Sequence, residues 1–388
     1  MRRLIVARMV AATAVVGLAG CTAAPIEPAG PSAIVDSNEF FADAAVAESI
    51  EVIAGGDGDL WPNCWAEDNN IYAAHGDGRG FGTDFADIGV NVITGDPESL
   101  AGETLAAGDE VGSIWSGENF TRKPTGMVCV DGDLYLAVQD LRTDFNEAPA
   151  ASISKSTDKG KTWTWDESAP MFDDHVFTTV FFLDYGKNYE NAPDDYVYAY
   201  GLDGNWRDSF DNSVPDPVDV YLARVPKDSI QDRASWEFFT GVDGKQPNWS
   251  ADMEDRVAVL HDDRLLYPEG DGGDATTVGA SDLSVISQGS VVYNEPLDRY
   301  IYTSWTELTF EFYEAPTPWG PFELFLSKDF GPYPWSLESH GGYGTTIPSK
   351  FISEDGRTMW LQANVCPCAP AGMSVYDFAL RQLTVDPR

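Results

Sequence analysis

The chain has 388 residues, with 63 Asp and Glu against 24 Lys and Arg, and a formal net charge of −39. So acidic a chain repels phosphate backbones and anionic lipid, which excludes nucleic-acid binding and membrane attachment through a basic patch. Aromatic residues make up 12 %, with 36 Gly and 24 Pro, as in a packed, turn-rich domain and not a disordered one.

The first segment is a targeting signal. Arg2, Arg3 and Arg8 precede an apolar run from Met9 to Ala19. That run is too short to span a bilayer, so residues 1–20 read as a secretory signal peptide. It ends Leu18-Ala19-Gly20-Cys21, which resembles a bacterial lipobox and implies cleavage before Cys21 and lipidation of its thiol. The expected mature protein carries a net charge of −42, because residues 1–20 hold three Arg and no acid. It is expected outside the cytoplasm, held to the cell membrane by lipid. Residues 21–47, rich in Ala, Pro and Ser, read as the lipidated Cys and a flexible tether. Residues 48–388 then form one domain.

Within that domain a short strand recurs, followed by a polar residue. Five residues beyond Tyr72, Tyr135, Tyr198 and Tyr302 stand Asp77, Asp140, Asp203 and Glu307. A fifth copy, Thr358-Met359-Trp360, lacks the acid but has Asn364 one place short of it. The anchors lie 63, 63, 104 and 58 residues apart. A period near 60 built of short strands predicts an all-β fold, a five-bladed β-propeller with four-stranded antiparallel blades. Each anchor strand has an earlier partner. Trp61 to Ala66 pairs with Ile71 to Gly76, and Thr125 to Val130 pairs with Leu134 to Gln139 across Asp131-Gly132. Thr178 to Leu183 pairs with Tyr196 to Gly201, Ser290 to Tyr293 with Tyr300 to Thr306, and Thr345 to Phe351 with Thr358 to Ala363. Helical turns are expected only near Pro226 to Ala234 and Ser250 to Asp255. Ser156-Thr157-Asp158-Lys159-Gly160-Lys161-Thr162-Trp163 resembles the Asp box of sialidases and other propellers, a structural hairpin turn; Ser353 to Trp360 is a degraded copy.

Beyond Cys21 there are four cysteines, Cys64, Cys129, Cys366 and Cys368, which allow three pairings outside the cytoplasm. Cys64 and Cys129 occupy similar points in the first two repeats, so adjacent inner strands can hold them. The acidic loop Asp271-Gly272-Gly273-Asp274 offers oxygen ligands for calcium but not the spacing of a helix–loop–helix site. No metal and no organic cofactor is expected.

An inner strand leaves one mouth of the array and its partner returns there, so residues before the first and after the second share that mouth. In the first repeat these are Asp59 and Asp77. With strands roughly 4.8 Å apart, two such carboxylates fall about 5–10 Å from each other, a range that covers both glycosidase geometries. The same reasoning sets Lys123 opposite Asp140, Asp174 and His175 with Asp203, Gln288 with Glu307, and brings in His340 and Tyr343. Crowded acids raise one pKa, as glycoside hydrolysis requires, and Lys123 can keep a neighbour ionised. Trp61, Trp206, Trp305 and Trp335 stand near the mouth, where an indole face can stack on sugar; Trp163, Trp236 and Trp360 read as packing between sheets.

These residues resemble a known family. The run Asp59-Leu60-Trp61-Pro62, Cys64-Trp65-Ala66, Ile71-Tyr72 and His75-Gly76-Asp77-Gly78-Arg79-Gly80-Phe81 resembles the opening of a bacterial uncharacterised-domain family linked to endo-D-arabinanases, glycoside hydrolase family one hundred and eighty-three. Asp184-Tyr185-Gly186-Lys187-Asn188-Tyr189, Leu222-Ala223-Arg224-Val225-Pro226, Phe312-Tyr313-Glu314-Ala315-Pro316 and Pro318-Trp319-Gly320-Pro321 extend the likeness, from about residue 52 onward. Asn63, Cys64 and the long acidic 226–287 region depart from it. The resemblance implies a five-bladed propeller that cleaves within D-arabinofuranose chains of arabinogalactan or lipoarabinomannan, with Asp59 and Asp77 on the family's acid positions.

The reading that results is a monomeric, lipid-anchored glycoside hydrolase acting on a polysaccharide. Its catalytic candidates are Asp59, Asp77, Asp203 and Glu307, and its substrate-binding candidates are Trp61, Lys123, Asp140, His175 and Trp305. Two alternatives are a surface lipoprotein that binds glycan without cleaving it and a sialidase. The second needs an Arg cluster for an anionic sugar, which an acidic, Arg-poor chain supplies badly.

Overall fold

A computed structural model describes residues 33–34, 38–268, 282–331, 341–367, 369 and 372–388. Cys21, the signal segment, the Asp271–Asp274 loop, Trp335, His340 and Cys368 lie outside the described residues. Among the described residues the regular structure is strand, interrupted only by 3-10 turns of three residues each. Two of these, Arg233–Ser235 and Met253–Asp255, are the helical turns expected there.

Five antiparallel ladders follow one another along the chain. The first orders Asn63–Trp65, Ile71–Gly78, Ala86–Thr94 and Ala101–Ala107. The second orders Phe120–Val130, Asp133–Arg142 and Ala150–Ser156, with Thr164 bridging Lys155 at its edge. The third runs Thr179–Asp184, Tyr196–Leu202, Asp219–Pro226 and Glu237–Asp243; Gln246–Ser250 and Ala258–His261 extend it, so part of 226–268 is sheet edge. The fourth runs Ser290–Asn294, Arg299–Trp305, Thr309–Ala315 and Glu323–Asp329. The fifth orders Tyr343–Thr346, Thr358–Asn364, Ala379–Pro387 and, from the other end of the chain, Phe41–Val46. The tether expected over 21–47 is therefore partly built into the sheets. Phe41 is fully buried against Phe325, with ring centroids 4.7 Å apart. Ser349–Phe351, expected as the end of a strand, is a 3-10 turn instead.

The first strands of the five ladders close a ring. Cys64 and Cys129 form a disulfide between ladders one and two. Thr125 Oγ1 donates 2.6 Å to the Val180 carbonyl between two and three. Leu183 and Asp184 pair in parallel with Val291 and Val292 between three and four. Ile347 N donates 3.3 Å to Ser290 Oγ between four and five. Asn63 Nδ2 donates 2.8 Å to Thr346 Oγ1, back from one to five. Asn63, Thr125, Phe181, Ser290 and Thr346, one residue from each ladder, line a single narrow cavity on the axis of this ring. The lining mixes polar side chains, Asn63, Thr125, Ser290 and Thr346, with apolar ones such as Met127 and Phe181, and further apolar residues pack in clusters that join neighbouring ladders.

The Asp-box turn has its expected structural role. Asp158 accepts hydrogen bonds from Lys161 N, Thr162 N and Thr162 Oγ1, which lower its pKa. The turn delivers Trp163, 7 % exposed, into the core between ladders one and two.

Candidate active site

Asp59 and Gly76 exchange backbone hydrogen bonds of 2.9 and 3.0 Å, an isolated bridge at the open end of ladder one. This fixes Asp59 one residue across from Asp77. The approach is close. A Cβ on Gly76 would strike Asp59 Oδ1, and one on Gly78 would strike the Asp57 carbonyl, so both glycines flanking Asp77 are demanded by space. Asp77 itself sits at φ 41°, and Leu60 and Trp61 after Asp59 sit at 68° and 49°. Non-glycine residues at such angles store strain of roughly 1–3 kcal/mol each and gather at functional sites.

Five side chains meet at this point. Asp59 is 7 % exposed, and its Oδ2 accepts a 2.7 Å hydrogen bond from the Tyr376 hydroxyl. The buried Lys123 ammonium lies 2.5 Å from Asp77 Oδ2. The Asp77 side chain remains 32 % exposed. Burial raises the Asp77 pKa, Lys123 opposes the rise, and the charge of Asp59 adds to it; the net direction is upward. Glu307, at φ 71° and 6 % exposed, closes the group from ladder four. Burial pushes its carboxyl up against the pull of Arg207, whose Nη2 is 3.5 Å from Oε1, and the charge of Asp59 raises it further. Glu307 Oε2 is buried without a hydrogen-bond partner. Beneath them His75, 1 % exposed, lies 2.8 Å from Asn91 Nδ2; burial lowers its pKa to about 4 and keeps the ring neutral at pH 7.

Of the residues expected at the mouth, Asp59, Asp77, Lys123 and Glu307 are therefore brought together. The others are not. Asp140 lies inside the regular strand Asp133–Arg142, fully buried, and accepts from Trp115 N and Ser116 N at 2.8 and 2.6 Å. Its cross-strand partner is Arg122, while Lys123 pairs with Gln139; the expected Lys123–Asp140 register is off by one, so the two point to opposite faces. Asp203 accepts from Phe177 N at 2.8 Å and from Arg256 Nη2 at 2.6 Å, and His175 joins it in a separate cavity. Trp61 and Trp305 are fully buried, so neither indole offers a face to solvent. The Trp61 indole donates to the Gly58 carbonyl and packs on Phe378, and the Trp305 indole donates to the Gln288 carbonyl. Trp206, 5 % exposed, is core as well.

Tyr376 and Arg207 escaped the sequence reading. Both come from loops with no periodic pattern. Arg207 reaches Glu307 while its guanidinium lies 5.0 Å from the Trp206 ring and 4.8 Å from that of Phe210. Asn364, the one-short position of the fifth repeat, has a supporting role: its Nδ2 donates to the carbonyls of Gly58 and Asp377, which pins the chain just before Asp59.

Among the described residues no group of three or more His, Cys, Asp or Glu is placed to hold a metal ion. No described helix is long and apolar enough to cross a membrane.

No curated protein matches the sequence. Solved structures that resemble the chain include three glycosidase-related enzymes. A GH43 β-xylosidase/α-arabinofuranosidase from a compost microbial metagenome is 12 % identical, with a TM-score of 0.49 over 88 % of this chain and 95 % of that one. A GH43 endo-arabinanase from Bacillus licheniformis is 11 % identical, with a TM-score of 0.45 over 87 % and 96 %. A GH43_1 enzyme from Xanthomonas citri is 14 % identical, with a TM-score of 0.45 over 92 % and 89 %. A family of domains matches residues 79–324, a span that includes Lys123, Arg207 and Glu307 and begins just after Asp77. The chain thus belongs to the family described as a domain of unknown function, DUF4185.

Proposed function

We propose that this protein is a glycoside hydrolase that cuts within D-arabinofuranosyl chains, using Asp59 and Asp77 on a five-bladed β-propeller. The observation that carries the reading is the pairing of two carboxyls from adjacent strands in unlike surroundings. Asp59 is buried and held by Tyr376; Asp77 is open to solvent on one side and has a raised pKa. Glycoside hydrolysis needs one carboxyl to deliver a proton and another to act as an anion. Asp77 is the acid in this scheme. It protonates the glycosidic oxygen as the bond to the anomeric carbon breaks. Asp59 faces the anomeric carbon, either as nucleophile or as the base that takes a proton from the attacking water. Lys123 lowers the Asp77 pKa against its burial and pairs with the Asp77 carboxylate left after proton transfer. Glu307 and Arg207 hold the charge balance beside Asp59.

The propeller reading is supported by five antiparallel ladders around one axial cavity. The D-arabinan reading is supported by the resemblance of the Asp59–Phe81 run. Attachment by lipid at Cys21 outside the cytoplasm, and the monomeric state, rest on the sequence pattern of residues 1–21 and on the acidic surface. The test is product analysis: the full chain incubated with mycobacterial D-arabinan releases a ladder of oligosaccharides if it is an endo-hydrolase. Intact polymer, with the polymer bound, would mark a glycan-binding lipoprotein instead.

A further inference from the structure

A cavity of about 330 Å³ lies apart from the carboxyl group just described, bounded by His175, Asp203, Pro215, Pro217, Asp219 and Tyr221. Its size is within the range of small-molecule sites, and its walls mix apolar faces with a few convergent polar groups, as such sites do. The polar groups are fixed before any ligand arrives. Asp203 is clamped by Phe177 N on one oxygen and Arg256 on the other. The Arg256 guanidinium is itself held 4.7 Å from the Tyr221 ring. Asp219 Oδ1 lies 2.7 Å from His261 Nδ1. An ionised carboxylate has about four lone-pair sites, so Asp203 and Asp219 keep acceptor capacity for hydroxyl donors. Carboxylates at the wall repel phosphate and carboxylate ligands. The flat Pro215, Pro217 and Tyr221 surfaces suit the C–H face of a sugar ring.

The cavity is joined to the reactive group by one short stretch of chain. Gly204 lines it, and Arg207, three residues later, meets Glu307. Three residues span at most about 10 Å. The same stretch continues to Phe210, whose ring is 41 % exposed and lies against Phe145 at 6.2 Å. From this we infer that the cavity walled by Asp203, Pro215–Asp219 and Tyr221 is a distal subsite for an uncharged sugar residue of the glycan whose cleavage is proposed above. It would explain why Asp203, despite its place at the return of a strand, is tied to Arg256 and not to the Asp59 group.

Resting on the hydrolase reading, the inference is tested by binding and not by turnover. An uncharged D-arabinofuranosyl hexasaccharide is titrated into the full chain carrying Asp77→Asn, with Val218→Trp or Asp203→Asn added. Val218→Trp fills the cavity and Asp203→Asn keeps its shape; circular dichroism checks both for fold. The expected result is about a tenfold loss of affinity for the first and at least threefold for the second. Affinities equal to that of Asp77→Asn alone, or no binding by Asp77→Asn at all, would overturn the subsite. Cleavage of D-arabinan by the unsubstituted chain is measured alongside. A chain that binds through the cavity yet cleaves nothing contradicts the hydrolase reading and leaves the subsite standing.

Discussion

The Tyr376 hydroxyl donates a 2.7 Å hydrogen bond to Asp59 Oδ2 across 317 positions of sequence. It joins the fifth ladder to the first at the point where the two ends of the chain's ring meet. Gly58 N donates to the Tyr376 carbonyl at 2.8 Å, so backbone and side chain of one residue both position Asp59. The contacts that join the fifth ladder to the first also position a member of the reactive group.

Lys123 sets the pH range of the proposed reaction. Its ammonium pulls the Asp77 pKa down against burial and Asp59. Lys123→Met removes that pull, so the Asp77 pKa rises and the acid stays protonated to higher pH. The alkaline limb of kcat/KM against pH should then move upward. A limb that stays in place would remove Asp77 from the acid role.

Asp208 should make the fold less stable in alkali. Burial first, and then the charge of Asp216, raise its pKa from 3.8 to about 7. The folded state therefore binds a proton more tightly than the unfolded one. The stability this contributes is complete below pH 3.8 and is lost as pH rises through about 7. Asp208→Asn escapes the loss, so its melting temperature should exceed that of the parent by more at pH 8 than at pH 5. Parallel melting curves across that range would contradict the assignment.

The Cys64–Cys129 disulfide closes a loop of 65 residues between the first two ladders. Replacing both cysteines by Ser should lower the stability by about 2–4 kcal/mol in denaturant titration. An unchanged midpoint would show that the inner ring needs no covalent link there.

Asp158 is almost fully solvated and serves only its own turn. Asp158→Ala should lower the melting temperature while leaving kcat/KM within twofold of the parent. A large kinetic loss would bring the Asp-box turn into the reaction, against its place in the fold.

The five strand anchors were legible because each pairs a β-rich run with a turn, and the ladders formed where the pattern put them. The disulfide was legible as a matching position in two repeats. The acids were legible only in part. Asp77, Asp140, Asp203 and Glu307 share one offset, yet only Asp77 and Glu307 enter the group. Both of these have positive φ, at 41° and 71°, which turns the side chain off the regular alternation of the strand. Asp140 stays within its strand and keeps that alternation, so it faces Trp115 and Ser116. A shared offset carries no information on that local twist. Trp61 misled for the same reason: its φ of 49° folds the indole beneath Asp59 and away from the mouth. Tyr376 and Arg207 reach the site from loops, where no repeat marks them.

The most direct measurement is release of reducing ends from D-arabinan by the full chain, by Asp59→Asn and by Asp77→Asn, with azide added to each variant. Removing a positioned acid or base should cost about 10²–10⁴ in rate. The account predicts short oligosaccharides from the parent, losses of that size in both variants at unchanged fold, and partial rescue of a variant by azide as a substitute nucleophile or base. Parent-like rates in either variant would contradict the claim that Asp59 and Asp77 do the chemistry together.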